Sequence, residues 1–140
     1  MARLPLAVEE PPSADDIAVV AAGVRRYALA QIENDESPPI ACFVRDNGVV
    51  VGGVVGRIIR KRLFIELLWV DELYRCRGNG SALLSTLEGA ARDRGCSDAL
   101  LETLSDAAAH LYASTGYRLF AQVPDYIPGF NKHVLLKSLA

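Results

Sequence analysis

Between Arg75 and Ala82 the chain reads Arg-Cys-Arg-Gly-Asn-Gly-Ser-Ala, where an apolar run gives way to a helical one. Such a turn can hold a phosphate. The first N–H groups of a helix lack an internal acceptor, and the helix dipole makes that end positive. Gly78 and Gly80 let a ligand approach the main chain, because no Cβ stands in the way. Arg75 and Arg77 add charges that pair with phosphate oxygens. Two familiar phosphate loops are excluded by the residues themselves. A P-loop needs Lys after its last glycine, yet Ser81 follows Gly80 and no Lys lies between Lys61 and Lys132. A dinucleotide turn needs a third glycine where Leu83 stands.

The elements that must position this turn follow from periodicity. Residues 63–70 read as a strand running into it, and residues 78–94 as a helix leaving it. Leu83, Leu84, Leu87, Ala90 and Ala91 share one face of that helix, and Gly95 stops it. Upstream, residues 4–8 read as an edge strand broken by Pro5. Ser13 opens a helix in which Ile17, Val20, Ala21, Val24, Tyr27, Ala28 and Ile32 recur at helical spacing, and residues 34–39 form a loop. Residues 40–45 and 49–60 flank Asp46-Asn47-Gly48 as a hairpin, with Gly52, Gly53 and Gly56 marking bulges or close approaches. Arg60-Lys61-Arg62 reads as a solvated hairpin tip. Downstream come a strand at 99–104, a short helix at 106–114 with Ser or Asp at its start, a strand at 117–123, an aromatic loop at 125–130 and a last strand at 133–139. Hairpins plus one strand–helix–strand unit predict a mixed α/β sheet flanked by helices, in one domain spanning residues 1–140.

The pattern [RQ]-x-x-G-x-[GA], filled by Arg75, Gly78 and Gly80, resembles the acyl-CoA pyrophosphate loop of the GNAT N-acetyltransferase superfamily. The preceding Leu68-Trp69-Val70-Asp71-Glu72-Leu73-Tyr74 is similar to that family's strand and acidic turn. Leu111-Tyr112-Ala113-Ser114-Thr115-Gly116-Tyr117 is similar to its second signature, L-Y-x-x-x-G-[FY], in the family's order and spacing. The resemblance runs from about Val49 to Leu139. It implies a GNAT-like fold with a central sheet of six or seven strands, splayed between the family's fourth and fifth. It implies acetyl-CoA as cosubstrate and an amine as acceptor, without a metal.

Roles follow for particular residues as the resemblance implies them. Arg75, Cys76, Arg77, Gly78, Asn79, Gly80, Ser81 and Ala82 would hold the pyrophosphate, with main-chain N–H groups from Arg77 to Ala82 as donors. The strand end at Leu68, Trp69 and Val70 would offer main-chain groups to the pantetheine as to an added strand, and an N–H near Val70 would polarise the thioester carbonyl. Ser105 stands where the family often has a pantetheine-contacting asparagine. Tyr112 would sit near the CoA sulfur, as the acid that protonates the leaving thiolate. The family often shapes its acceptor site between the first helix and second strand. That region is short here, so the pocket is expected to be open on that side.

For the base, Glu66 interrupts an apolar strand. Strand alternation puts it on the side of Leu68 and Val70, half-buried with a raised pKa, unless a bulge breaks the parity. Glu102 on the next strand is the alternative. Asp125, Tyr126 and Phe130 would wall the acceptor. Cys76 lacks a motif-marked His partner; His110 reads as a surface residue and His133 carries no motif.

Composition bounds the rest. With 140 residues, 51% hydrophobic, 23% charged and a formal net charge of −2, the chain has the balance of a globular domain without a basic stripe for nucleic acid. No apolar run is long enough to span a membrane, and three unpaired cysteines fit a reducing cytoplasm. Three readings stay open: a small-molecule N-acetyltransferase acting by direct attack, a protein or peptide N-acetyltransferase, and a catalytically inactive acyl-CoA-binding domain. Relatives of this kind are often dimers, so a homodimer is an expectation.

Overall fold

The computed structural model describes residues 2–32 and 37–140. The chain divides into two compact units, Met1–Asp35 and Glu36–Ala140. In the first, α1 (Ala14–Ile32) is opened by Ser13, whose Oγ accepts the Asp16 N–H at 3.0 Å. This is the capping expected of a serine before two acids. Ile17, Val20, Val24 and Tyr27 recur along α1 at the expected spacing and are exposed. Residues 4–8 form no strand: Pro5 removes a ladder donor, and no partner strand pairs with the segment. The predicted loop at 34–39 lies outside the described residues as far as Glu36, and its last residue, Pro39, begins a strand.

The second unit is a six-stranded sheet in the order β1-β2-β3-β4-β6-β5, with two α-helices. Strands β1 (Pro39–Asp46), β2 (Val49–Ile59) and β3 (Arg62–Val70) are joined by tight antiparallel hairpins. The first turns on Asn47 and Gly48, both at positive φ, as a two-residue hairpin turn requires. A 3₁₀ turn, Glu72–Tyr74, leads into α2 (Asn79–Asp93), then β4 (Asp98–Thr103), parallel to β3. Then come α3 (Asp106–Ser114), β5 (Arg118–Ile127) and β6 (Phe130–Ser138). Helix α2 lies across β1–β3 and α3 across β4–β6. Leu83, Leu84, Leu87 and Ala91 of α2 join Val54, Leu63, Leu101 and Leu135 of the sheet in one continuous core. Fully burying a leucine contributes about 1.5–3 kcal/mol, so this stripe fixes α2 on the sheet.

Two details differ from expectation. The segment at 125–130 is not a loop: β5 continues to Ile127 and β6 starts at Phe130, with Ile127 paired to Phe130. Pro124 is tolerated because β5 is an edge strand, and Asp125, at φ 48°, sits in a register shift where its N–H meets Asn131 Oδ1 at 3.0 Å. Arg62 is not part of a solvated tip. Its guanidinium grips Asp98 through two bonds of 2.8 and 2.9 Å, raising its own pKa and holding the Asp98 carboxyl below the usual range. That fork clamps the start of β3 to the start of β4.

A candidate acyl-CoA cleft at the splay of β3 and β4

Strands β3 and β4 pair only at Arg62/Asp98, Leu63/Ala99 and Phe64/Leu100, and beyond Phe64 they part. The gap opens towards the C-terminal end of β3. Asp71 donates its N–H to Val51 O at 2.8 Å, while Val70 stands opposite Gly52 and Leu68 opposite Val54. Antiparallel ladders alternate bonded and non-bonded pairs. The main-chain groups of Val70 and Leu68 therefore point away from β2, into the gap, as a strand edge open to an extended ligand. The Val70 carbonyl is already taken by Arg75 Nε at 2.8 Å, which folds the arginine back along the strand end.

The same cleft is closed on its other side by the start of α2. Gly78 caps the helix at φ 81° without any side-chain hydrogen bond, and no acid stands in the first turn. Ala82 N–H bonds Gly78 O at 3.0 Å, so the uncommitted donors at this end run no further than Ser81. Built onto Gly80, a Cβ would meet nothing within 4 Å; that space belongs to the cleft. Asn79 Nδ2 bonds Tyr74 O at 2.9 Å and pins the loop. Cys76 lies in it at φ 60°. Arg77 lies 5.8 Å over the Tyr74 ring, and the Tyr74 hydroxyl bonds Asp46, which raises its pKa. The cleft measures about 450 Å³. It gathers Leu68, Trp69, Val70, Arg75, Cys76, Gly78, Asn79, Gly80 and Ser81 beside Tyr112. Leu111, the first residue of the second signature, lines it too; Tyr74 and Ala108 were given no site role from the sequence, though Ala108, four residues before Tyr112, shares its helix face.

Tyr112 also lines a smaller space in the gap, of about 230 Å³, with Glu66, Glu102 and Thr103. The phenol is 9% exposed, and burial raises its pKa, so it holds its proton through neutral pH. Among the described residues no hydrogen bond reaches its hydroxyl. Its ring meets that of Tyr117 edge-on, with centroids 6.0 Å apart.

Glu66 departs from the simple parity. Val55 pairs with Leu67 but Gly56 with Ile65, so Glu66 is the extra residue of a bulge. A Cβ at Gly56 would lie 2.5 Å from Phe64 O, which is why a glycine faces this bulge. Core-facing positions run Leu63, Ile65, then Leu68 and Val70, leaving Glu66 off the side of Leu68 and Val70. Its side chain is 45% exposed and pairs with Arg57 Nε at 3.0 Å. Glu102 pairs with Lys132 at 2.9 Å.

Ser105 lies at the start of α3. Its Oγ caps that helix by accepting the Ala108 N–H at 3.1 Å, and it lines a separate cavity beside the β5–β6 turn. Of the three residues expected to wall the acceptor, Phe130 lines that cavity; Tyr126 packs under Lys132, 4.6 Å from its ring centroid. His110 is exposed, and His133, 9% exposed, lies 2.7 Å from Asp106 Oδ1.

Sequence reasoning also missed the buried charge beneath the site. Glu88 on α2 is 3% exposed and receives the Tyr117 hydroxyl at 2.7 Å and Lys137 Nζ at 2.8 Å. Lys137 also reaches Thr115 O at 2.8 Å. Burial and the Glu88 carboxylate push the Tyr117 hydroxyl pKa far up. Glu88 lies four residues after Leu84 and three before Ala91, on the buried stripe, and that spacing was its one signal.

An uncapped helix start, a strand edge open beyond Phe64 and a tyrosine at their meeting point converge in this cleft. Residues 8–117 match the model of the Acetyltransferase (GNAT) family. The chain belongs to that family. It is an acyltransferase of the GNAT fold, and acetyl-CoA is the family's donor. A blasticidin-S acetyltransferase from Streptomyces morookaense is 41% identical over 95 residues, 67% of this chain and 70% of that protein. The crystal structure of a Bacillus cereus acetyltransferase superposes with a TM-score of 0.81 at 30% identity, covering 91% of this chain and 94% of that one. An aminoglycoside 6'-N-acetyltransferase complexed with coenzyme A shares the fold at a TM-score of 0.65 and 17% identity, over 81% of this chain and 78% of that one. No helix among the described residues is long and apolar enough to cross a membrane.

Proposed function

We propose that this GNAT protein transfers the acetyl group of acetyl-CoA to a primary amine of a small molecule by direct attack. The observation that carries the reading is that Tyr112 lines both the cleft at the start of α2 and the gap holding Glu66 and Glu102. Donor and acceptor would meet there. The pyrophosphate would lie against the free N–H groups from Arg77 to Ser81, with Arg75 and Arg77 beside it. The pantetheine would run along the open edge at Leu68 and Val70. The amine, having lost a proton to Glu66 or Glu102 directly or through water, attacks the thioester carbon. The Val70 N–H stabilises the oxyanion that forms. As the C–S bond breaks, the thiolate takes the Tyr112 proton, and the surplus proton on the acylated nitrogen passes back to the tyrosinate to leave the neutral amide. Burial supports that role by keeping the phenol protonated. The small-molecule acceptor is supported by the likeness to the Streptomyces morookaense blasticidin-S acetyltransferase.

Titration with acetyl-CoA, followed by thiol release over a panel of small amines (blasticidin S among them) and short peptides with free N-termini, tests the reading. Binding with release on small amines is expected. Release on peptides alone would move the acceptor class to proteins, binding without release would make the chain an acyl-CoA-binding domain, and absence of binding would overturn the cleft itself.

A further inference from the structure

We propose that Asp46, at the end of the first hairpin, is a positioning residue for the donor: through Tyr74 it holds the turn that presents N–H groups to the acetyl-CoA pyrophosphate. The inference rests on that pyrophosphate site. Tyr74 lines the cleft and leads into the turn. Within the turn Cys76 and Gly78 take left-handed backbone, at φ 60° and 81°. A non-glycine residue keeps such a conformation only where its surroundings hold it. Most of the bonds available for this are local. Tyr74 N–H meets Asp71 O at 2.9 Å, Arg75 N–H meets Glu72 O at 3.3 Å, Asn79 Nδ2 meets Tyr74 O at 2.9 Å and Arg75 Nε meets Val70 O at 2.8 Å. Each spans five residues or fewer, so together they shape the turn without fixing it to the rest of the sheet. The apolar stripe that seats α2 starts only at Leu83. Among the described residues, a single hydrogen bond of residues 74–81 reaches further: the Tyr74 hydroxyl donates to Asp46 Oδ2, across 28 residues of chain.

Asp46 is a firm support for that bond. It ends β1 and pairs with Val49 across the Asn47-Gly48 turn, in a hairpin that α2 covers. Its charge has no other use: among the described residues no Lys or Arg forms an ion pair with it. The ring that Asp46 holds also carries the Arg77 guanidinium at 5.8 Å, so a swing of the phenol would displace that charge too. Charge alone gives Asp46 the opposite effect. A carboxylate one hydrogen bond from the cleft wall repels a phosphate. The bond to Tyr74 favours the ligand and the charge opposes it, so the two readings differ in sign.

The test is calorimetry on Asp46→Ala, Asp46→Asn, Tyr74→Phe and the double variant Asp46→Ala with Tyr74→Phe. Each is titrated with acetyl-CoA and with S-acetylpantetheine, which lacks the pyrophosphate. Asp46→Ala and Tyr74→Phe should each weaken acetyl-CoA binding about five-fold, the net worth of one hydrogen bond. The double variant should lose no more than either alone, because both changes remove the same bond. Asp46→Asn keeps an acceptor for the phenol and should bind acetyl-CoA within about two-fold of the wild-type protein. S-acetylpantetheine should bind every variant within about two-fold of wild type, which a general loosening of the sheet would not spare. Tighter or unaltered acetyl-CoA binding by Asp46→Ala would overturn the inference and leave Asp46 as a repelling charge. Equal losses for the two donors, or losses that add in the double variant, would overturn it as well. Absence of acetyl-CoA binding by the wild-type protein is a separate result: it overturns the pyrophosphate site itself, and the role of Asp46 falls with it.

Discussion

The two α-helices of the sheet unit begin in opposite ways. Helix α3 supplies its own cap: Ser105 accepts the Ala108 N–H, and Asp106 adds a negative charge to the first turn. Helix α2 begins at Gly78 without a side-chain cap and without an acid in its first turn. An unmet helix start costs stability, about 1 kcal/mol where alanine replaces a capping side chain and about a few tenths where glycine does, as at Gly78. The chain meets that cost at α3 with its own side chains and leaves it standing at α2, where the cleft opens. Missing satisfaction at a helix start is therefore as informative as any side chain: it leaves free the N–H groups on which the proposed pyrophosphate site rests.

The comparison can be broken most severely at α2. Gly80→Glu would put a carboxylate into the space where phosphate is to lie, and acetyl-CoA binding by calorimetry should fall by more than about 100-fold, from charge and bulk together. Retained affinity would mean that the uncapped end is not the phosphate site.

Next in size comes the buried pair that ties α2 to the far side of the sheet. Lys137→Met strands the Glu88 carboxylate in the core with only the Tyr117 hydroxyl, a loss of about 3–5 kcal/mol in denaturant unfolding. Glu88→Leu with Lys137→Met should recover much of it, because no charge is then left alone. The Tyr117 hydroxyl adds a pH dependence. Its folded pKa is raised above the unfolded value of about 10, so the unfolded chain releases this proton first. The contribution is intact below about pH 10 and is lost as pH climbs beyond it. Tyr117→Phe should flatten that alkaline fall.

Tyr112→Phe sharpens the link between the two helices. It removes the acid and keeps the ring, so kcat should fall about 100-fold with acetyl-CoA affinity within about three-fold. Normal turnover would dismiss Tyr112 as the acid. Smallest is Ser105→Ala, which should cost about 1 kcal/mol of stability as the α3 cap is lost. A parallel acetyl-CoA titration separates the cap from a pantetheine contact, since only the latter would weaken binding beyond the change in stability.

What was legible beforehand follows a physical line. The turn from Arg75 to Ala82, the start of α3 at Ser105, the Asn47-Gly48 hairpin and the Leu stripe of α2 each act within a few residues, through backbone geometry that residue type dictates. The reach of β5 was misjudged because Pro124 and Asp125 carry turn signals that an edge position and a register shift absorb. The side taken by Glu66 was equally out of reach: one extra residue opposite Val55 and Gly56 reverses strand parity, and nothing within β3 announces it.

By itself, then, the amino-acid sequence determined the order of elements from α1 onward, the glycine-rich, uncapped start of α2 and the family to which both signatures belong. Only the tertiary structure decided that Tyr112 joins two spaces, that Glu66 faces Arg57, that Asp106 meets His133, and that Glu88 meets Lys137 across 49 residues of chain. Local geometry is encoded by neighbours along the chain. Partners across the sheet are chosen when register, bulges and helix packing are settled together, by contacts that no short stretch of sequence contains.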